Sequence, residues 1–75
     1  MNLIEEVKLA QRLPKPAEAK AIRIAAGVPV TRIAEELNVH RVSVTRWESG
    51  KRKPRGQLLH RYVHLLDRLR EVTAR

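Results

Sequence analysis

The chain has no cysteine. Neither a disulfide nor a thiolate–metal framework can therefore support it, and a reducing cytoplasm is the compartment that fits. No apolar run approaches the roughly 20 residues of a membrane span. A secretory leader is not expected either, because "MNLIEEVKLAQRL" carries Glu5 and Glu6 where a leader would be basic and then apolar. Internal repeats and low-complexity tracts are absent, and strand signals are few. There is no glycine-rich phosphate loop and no clefted pair of carboxylates, which argues against an enzyme. With 75 residues there is room for one domain, which buries only roughly 60% of its unfolded surface.

What the chain has in excess is positive charge, and the excess is local. The net charge is +8, and residues 40–61 hold seven Lys or Arg against Glu48 alone. Residues 1–39 hold six against five acids, and residues 62–75 hold three against two. One concentrated patch of this kind suits a polyanion, with nucleic acid ahead of an anionic membrane surface.

Short helical patterns separated by turn residues run the whole length, so the class is all-α. Asn2 can cap a first helix within residues 1–13, in which Leu3, Ile4, Val7 and Ala10 form an apolar stripe. Pro14 and Pro16 end it, and Pro16 suits the first turn of a second helix that Gly27 stops. On that second helix Ala19, Ile22, Arg23 and Ala26 share a face, which turns Arg23 inward. A third helix, about residues 30–37, directs Ile33, Ala34 and Leu37 to the core, and Asn38 follows where a left-handed residue would end it. His40 then caps a helix of about residues 40–49, with Val44 and Trp47 as its buried side continuing from Val39, until Gly50 stops it. Beyond "KRKPRG" the apolar spacing over about residues 57–73 reads as one long helix.

Two short helices joined through Asn38 and Val39 have the layout of a helix-turn-helix. The stretch "AIRIAAGVPVTRIAEELNVHRVSVTRWESGKRKP" resembles the Xre/Cro/C1 (lambda repressor-like) family of DNA-binding domains. The likeness covers residues 16 to about 66. Its specificity lies in the joint match of Ile33-Ala34, Leu37, Val39, Val44, Trp47-Glu48, Gly50, Arg52 and Pro54. The resemblance implies a lambda repressor-like bundle of about five helices, counting an extra N-terminal helix in residues 1–13 and a long C-terminal one, with the DNA-binding domain over residues 16–75. Two departures stand out. Pro29 and Val30 occupy the place where the family has Ser or Thr followed by Gln, and no break divides the last helix.

Helical spacing separates the roles on residues 40–49. With Val44 and Trp47 facing in, Val42 and Arg46 face out, flanked by Ser43, Thr45 and Ser49. Slim side chains beside one or two long donors suit a major groove about 12 Å wide, and the N-terminal residues of such a helix come closest to base edges. Arg41, Val42 and Arg46 are the expected base readers, either arginine through guanine O6 and N7 and Val42 through a thymine methyl. His40, Ser43 and Thr45 are expected at phosphates or in mixed contacts. Lys51, Arg52, Lys53 and Arg55 are expected to position the protein on the backbone. The resemblance adds Ser49 as a phosphate contact and an ion pair between Arg23 and Glu48 that orients the reading helix.

Other features take plainer readings. Trp47 belongs to the core by its position beside Val44, with Ile33, Ala34, Leu37 and Val39. His60, His64 and Asp67 share a helix face at a spacing that could approach a metal, but no further ligand is evident. No metal or cofactor is expected. On the long helix Leu58, Tyr62, Leu65, Leu69 and Val72 repeat at 4-3-4-3, with Leu59, Val63 and Leu66 widening the face. Two readings stand for it. Either its first half closes the bundle while its second half packs on the N-terminal helix through Leu3, Ile4 and Val7, or part of it forms the seam of a homodimer that binds a two-fold symmetric operator. The function that follows is a sequence-specific double-stranded DNA-binding regulator, most simply a Cro-like repressor, and the resemblance implies a bacterial or phage setting. The alternatives are an antitoxin whose terminal helix docks a small toxin partner, an architectural or excision factor, and RNA or membrane binding through the basic patch alone.

Overall fold

The structure, a computed structural model, describes residues 2–74. Five helices follow in order: α1 (Leu3–Arg12), α2 (Pro16–Ala25), α3 (Val30–Leu37), α4 (Arg41–Ser49) and α5 (Gly56–Thr73). No strand occurs among the described residues. The all-α bundle expected from the sequence is therefore the fold found.

Most boundaries have a local chemical cause. Asn2 Oδ1 accepts the Glu5 N–H at 2.9 Å and caps α1, whose first turn also carries Glu5 and Glu6 at the positive end of the helix dipole. Pro16 opens α2 at its first turn. Ala26 caps the other end, and Gly27, at φ +71°, supplies the left-handed residue just beyond it. α3 begins on Pro29 with no side-chain cap, in keeping with the missing Ser or Thr. It ends on Asn38, left-handed at φ 55° and ψ 48°, a conformation that a short polar side chain tolerates better than most. The Val39 N–H closes the turn on Ala34 O at 3.0 Å.

The core is built mainly around α4. Ala19 of α2, Ile33, Ala34 and Leu37 of α3, Val44 and Trp47 of α4, and Tyr62 and Leu66 of α5 form one cluster, with Val39 partly buried against it. The Trp47 and Tyr62 rings lie 4.8 Å apart and tilted by 48°, a geometry that adds to simple burial. A second, smaller cluster joins Leu9 of α1 to Leu59 and Val63 of α5, with Leu13 at its edge.

The outer helices differ from the sequence reading in two respects. Leu3, Ile4 and Val7 do not pack on α5; they are 71%, 63% and 46% exposed, and Leu9 is the buried residue of α1. At 100° per residue Leu9 and Leu13 point together, more than a third of the way round the helix from Val7. α1 leans on the first half of α5 through Leu59 and Val63, while the end of α5 runs along α2, where Arg70 meets Glu18 at 3.5 Å. Tyr62 is also not available for a seam between copies, because it is only 2% exposed within the chain's own core. Leu58, Leu65 and Leu69 are partly buried against the same core, which leaves Val72, 61% exposed, as the open member of that row.

Candidate nucleic-acid interface

The outward surface of α4 is defined from beneath. Val44 is fully buried and Trp47 is 6% exposed, so both are fixed in the core. The residues between and beyond them are turned to solvent. Arg41, Thr45, Arg46 and Ser49 are exposed, Val42 is 40% exposed, and Ser43 is half-buried. This places the two arginines and the small apolar Val42 on one accessible helical surface.

Both ends of α4 are closed by specific groups. His40 Nδ1 accepts the Val42 N–H at 3.1 Å. That bond requires an unprotonated Nδ1, so the neutral ring carries its proton on Nε2 and keeps a donor free for an anion at the helix N-terminus. At the other end Gly50, at φ +79°, ends the helix and sends the chain into the basic loop. Pro54 is buried, which anchors the loop from Lys51 to Arg55 on the bundle while its four cations stay exposed.

The single acid of residues 40–61 is spent inward. Arg23 Nε donates to Glu48 Oε2 at 2.6 Å and a terminal nitrogen donates to Oε1 at 2.9 Å, while a third N–H reaches Val28 O at 3.0 Å. The two side chains are only 12% and 7% exposed. The hydrogen bond to Glu48 is the largest influence on Arg23 and outweighs the opposing effect of burial, so its pKa rises above the ordinary value. The pair joins α2 to the end of α4, and it leaves no unpaired carboxylate of α4 near the outer face.

The cations divide into two sets. Among the described residues, Arg41, Arg46, Lys51, Arg52, Lys53 and Arg55 have no carboxylate within 4.0 Å. Arg61 belongs to the same basic stretch but faces elsewhere: its guanidinium donates to Leu37 O at 3.1 Å and Glu36 O at 2.9 Å, capping the C-terminus of α3. No local pattern in the sequence marks that role, because its partners lie more than twenty residues away. Glu6 and Ala10 of α1 were missed for the same reason; they line a cleft with Arg46 and the basic loop.

Hydroxyl groups on α4 are partly engaged. Thr45 Oγ1 donates to Arg41 O and Ser49 Oγ to Arg46 O, both at 3.1 Å, so either must rotate before donating to a phosphate. His60 and His64 stack with centroids 6.1 Å apart, and Asp67 pairs with Arg12. Among the described residues no three His, Cys, Asp or Glu side chains converge on a position that could hold a metal. No helix of the described residues is long and apolar enough to cross a membrane.

The sequence model of the family described as Helix-turn-helix matches residues 20–71. Comparison with curated proteins and with solved structures returns no match.

Proposed function

Because this chain belongs to the Xre/lambda repressor-like helix-turn-helix family, a DNA-binding family, we propose that it is a sequence-specific operator-binding repressor that reads the major groove with α4. The observation that carries the reading is the combination of Arg41, Val42 and Arg46 on one exposed face with unpaired cations on the loop that follows. Arg41 and Arg46 supply donors for guanine edges and Val42 supplies an apolar contact for a thymine methyl. Lys51, Arg52, Lys53 and Arg55 neutralise phosphates and set the register of the helix in the groove. His40, with its Nε2–H free, supports a phosphate contact at the start of α4. Repression follows from occupancy, since a domain seated on promoter DNA excludes other proteins from the same groove.

Selection of bound sequences from a random duplex pool, at two salt concentrations, tests this proposal. Raw affinity is dominated by salt-sensitive phosphate contacts, so a motif that survives the higher salt reports base reading. Recovery of such a motif, followed by loss of transcription from a promoter that carries it, is the expected result. A pool that stays unenriched while binding remains tight would contradict the proposal.

A further inference from the structure

We infer that the chain holds a site for a small apolar carboxylate, and that this ligand competes with DNA phosphates for Arg52 and Lys53. The inference rests on the proposed phosphate contacts of the basic loop and adds to them a means of control. A cavity of about 230 Å³ lies where the α1–α2 connection, the start of α2, α4, the basic loop and the first half of α5 come together. Residues between 10 and 19 supply one of its walls and lie outside the family-matched residues 20–71, so the matched fold does not account for it.

The lining has two parts. Leu13, Ala19, Trp47, Leu59 and Tyr62, all buried or half-buried, form an apolar floor. Lys15, Arg52 and Lys53 are exposed and form the rim, which no acid joins. Among the described residues none of these three cations has a carboxylate within 4.0 Å. A ligand that satisfies both parts has an apolar body and an anionic end. The planar guanidinium of Arg52 suits a carboxylate, which it can hold through two parallel hydrogen bonds. α2 begins at the same rim with no side-chain cap, so the positive end of its dipole adds to the attraction. Acetate or inorganic phosphate would meet the rim and leave the floor uncovered.

Stiffness and size narrow the ligand further. Three of the chain's four prolines, Pro14, Pro16 and Pro54, wall the cavity, and their fixed φ angles hold it ready instead of leaving it to be ordered on binding. Its volume is below the ~300–1,000 Å³ of sites for drug-sized ligands and above the ~150 Å³ that holds a benzene ring. One ring on a short acid chain fits. Such a ligand draws Arg52 and Lys53 over the cavity and away from the phosphates, and DNA draws them the other way. The two occupants therefore oppose one another, each weakening the other by the same factor.

The test titrates the full chain with 3-phenylpropanoate. Trp47, the only tryptophan of the chain, lines the cavity and reports occupancy through its fluorescence. Saturable binding with a Kd of about 0.1–1 mM is expected, as suits a ligand of this size, while acetate and the neutral 3-phenylpropanamide bind at least about tenfold more weakly. Ala10→Phe places a ring at the exposed edge of the cavity; it is expected to abolish binding without lowering the thermal midpoint. Lys15→Gln is expected to weaken the acid about threefold and leave the amide unmoved. At constant ionic strength, saturating acid is expected to weaken binding of the selected duplex about tenfold and to flatten the salt slope by about two units, one for each cation withdrawn. No saturable signal, equal binding of acid and amide, binding that survives Ala10→Phe, or bound acid that leaves DNA affinity unchanged would each overturn the inference while the reading of α4 stands. A chain that selects no motif yet still loses DNA on addition of the acid would instead remove the reading of α4 and keep this site.

Discussion

Glu48 shows how one side chain serves both fold and interface. Its carboxylate accepts two hydrogen bonds from Arg23 and is only 7% exposed, so removing either partner strands a buried charge, at a cost of about 3–5 kcal/mol. Glu48→Ala is therefore expected to lower unfolding free energy by that order in urea titrations, and Arg23→Met combined with Glu48→Leu to recover most of the loss. A double variant as unstable as the single one would contradict this view of the pair. Tyr62 supplies a second residue-level test. Burial, followed by the nearby Glu48 carboxylate, raises its pKa from the ordinary 10.0 to about 12, and the buried hydroxyl has no hydrogen-bond partner among the described residues. Between those values the unfolded chain has lost the phenolic proton and the folded chain has kept it, so the folded state binds more protons and stability falls as pH rises. The contribution is intact below pH 10 and about 2–3 kcal/mol is lost by pH 12. Tyr62→Phe is expected to remove this alkaline step and to change stability at pH 7 by less than about 1 kcal/mol, since no bond is broken. Equilibrium unfolding at pH 8 and at pH 11.5 for both proteins measures it.

At the scale of elements, the turn between α3 and α4 is held from three sides: by left-handed Asn38, by the Val39 N–H on Ala34 O, and by Arg61 from α5. Asn38→Gly is expected to keep or slightly raise the thermal midpoint, and Asn38→Ala to lower stability by about 1 kcal/mol, because a Cβ without a local hydrogen-bonding group pays the left-handed strain. Equal effects from both would place the role of Asn38 in its side chain instead. The helix boundaries were legible in the sequence because their causes are local: Asn2, Pro16, Asn38, His40 and Gly50 each act within a few residues. The outward placement of Arg41, Val42 and Arg46 was legible by the same route, since Val44 and Trp47 leave α4 only one way to face. The inner face of α1 was not legible. Leu3-Ile4-Val7 and Leu9-Leu13 both satisfy helical spacing, and only contact with α5 chooses between them. The choice leaves α1 weakly held, because one buried leucine contributes about 2 kcal/mol and the Arg12–Asp67 pair, 60% exposed on the arginine side, adds less than about 1 kcal/mol.

Over the whole molecule the charge pattern takes on meaning only once the fold is known. Seven cations and one acid in residues 40–61 form a patch in the sequence; in the bundle Glu48 is neutralised inward by Arg23 and Arg61 is turned to α3. What remains outward is a helix face with Arg41 and Arg46 and a loop with four further cations, two surfaces of the same charge with different expected duties. The measurement that tests this division most directly compares Arg46→Ala with Lys53→Ala on the selected duplex and on a scrambled one across a salt series. Arg46→Ala is expected to cost about 1–3 kcal/mol on the selected duplex and little on the scrambled one, with relaxed preference at one base pair. Lys53→Ala is expected to weaken both duplexes alike and to reduce the salt slope by about one unit. Equal losses on both duplexes from both variants would contradict the assignment of α4 as the reading helix and reduce the protein to a basic surface that holds DNA without discriminating among sequences.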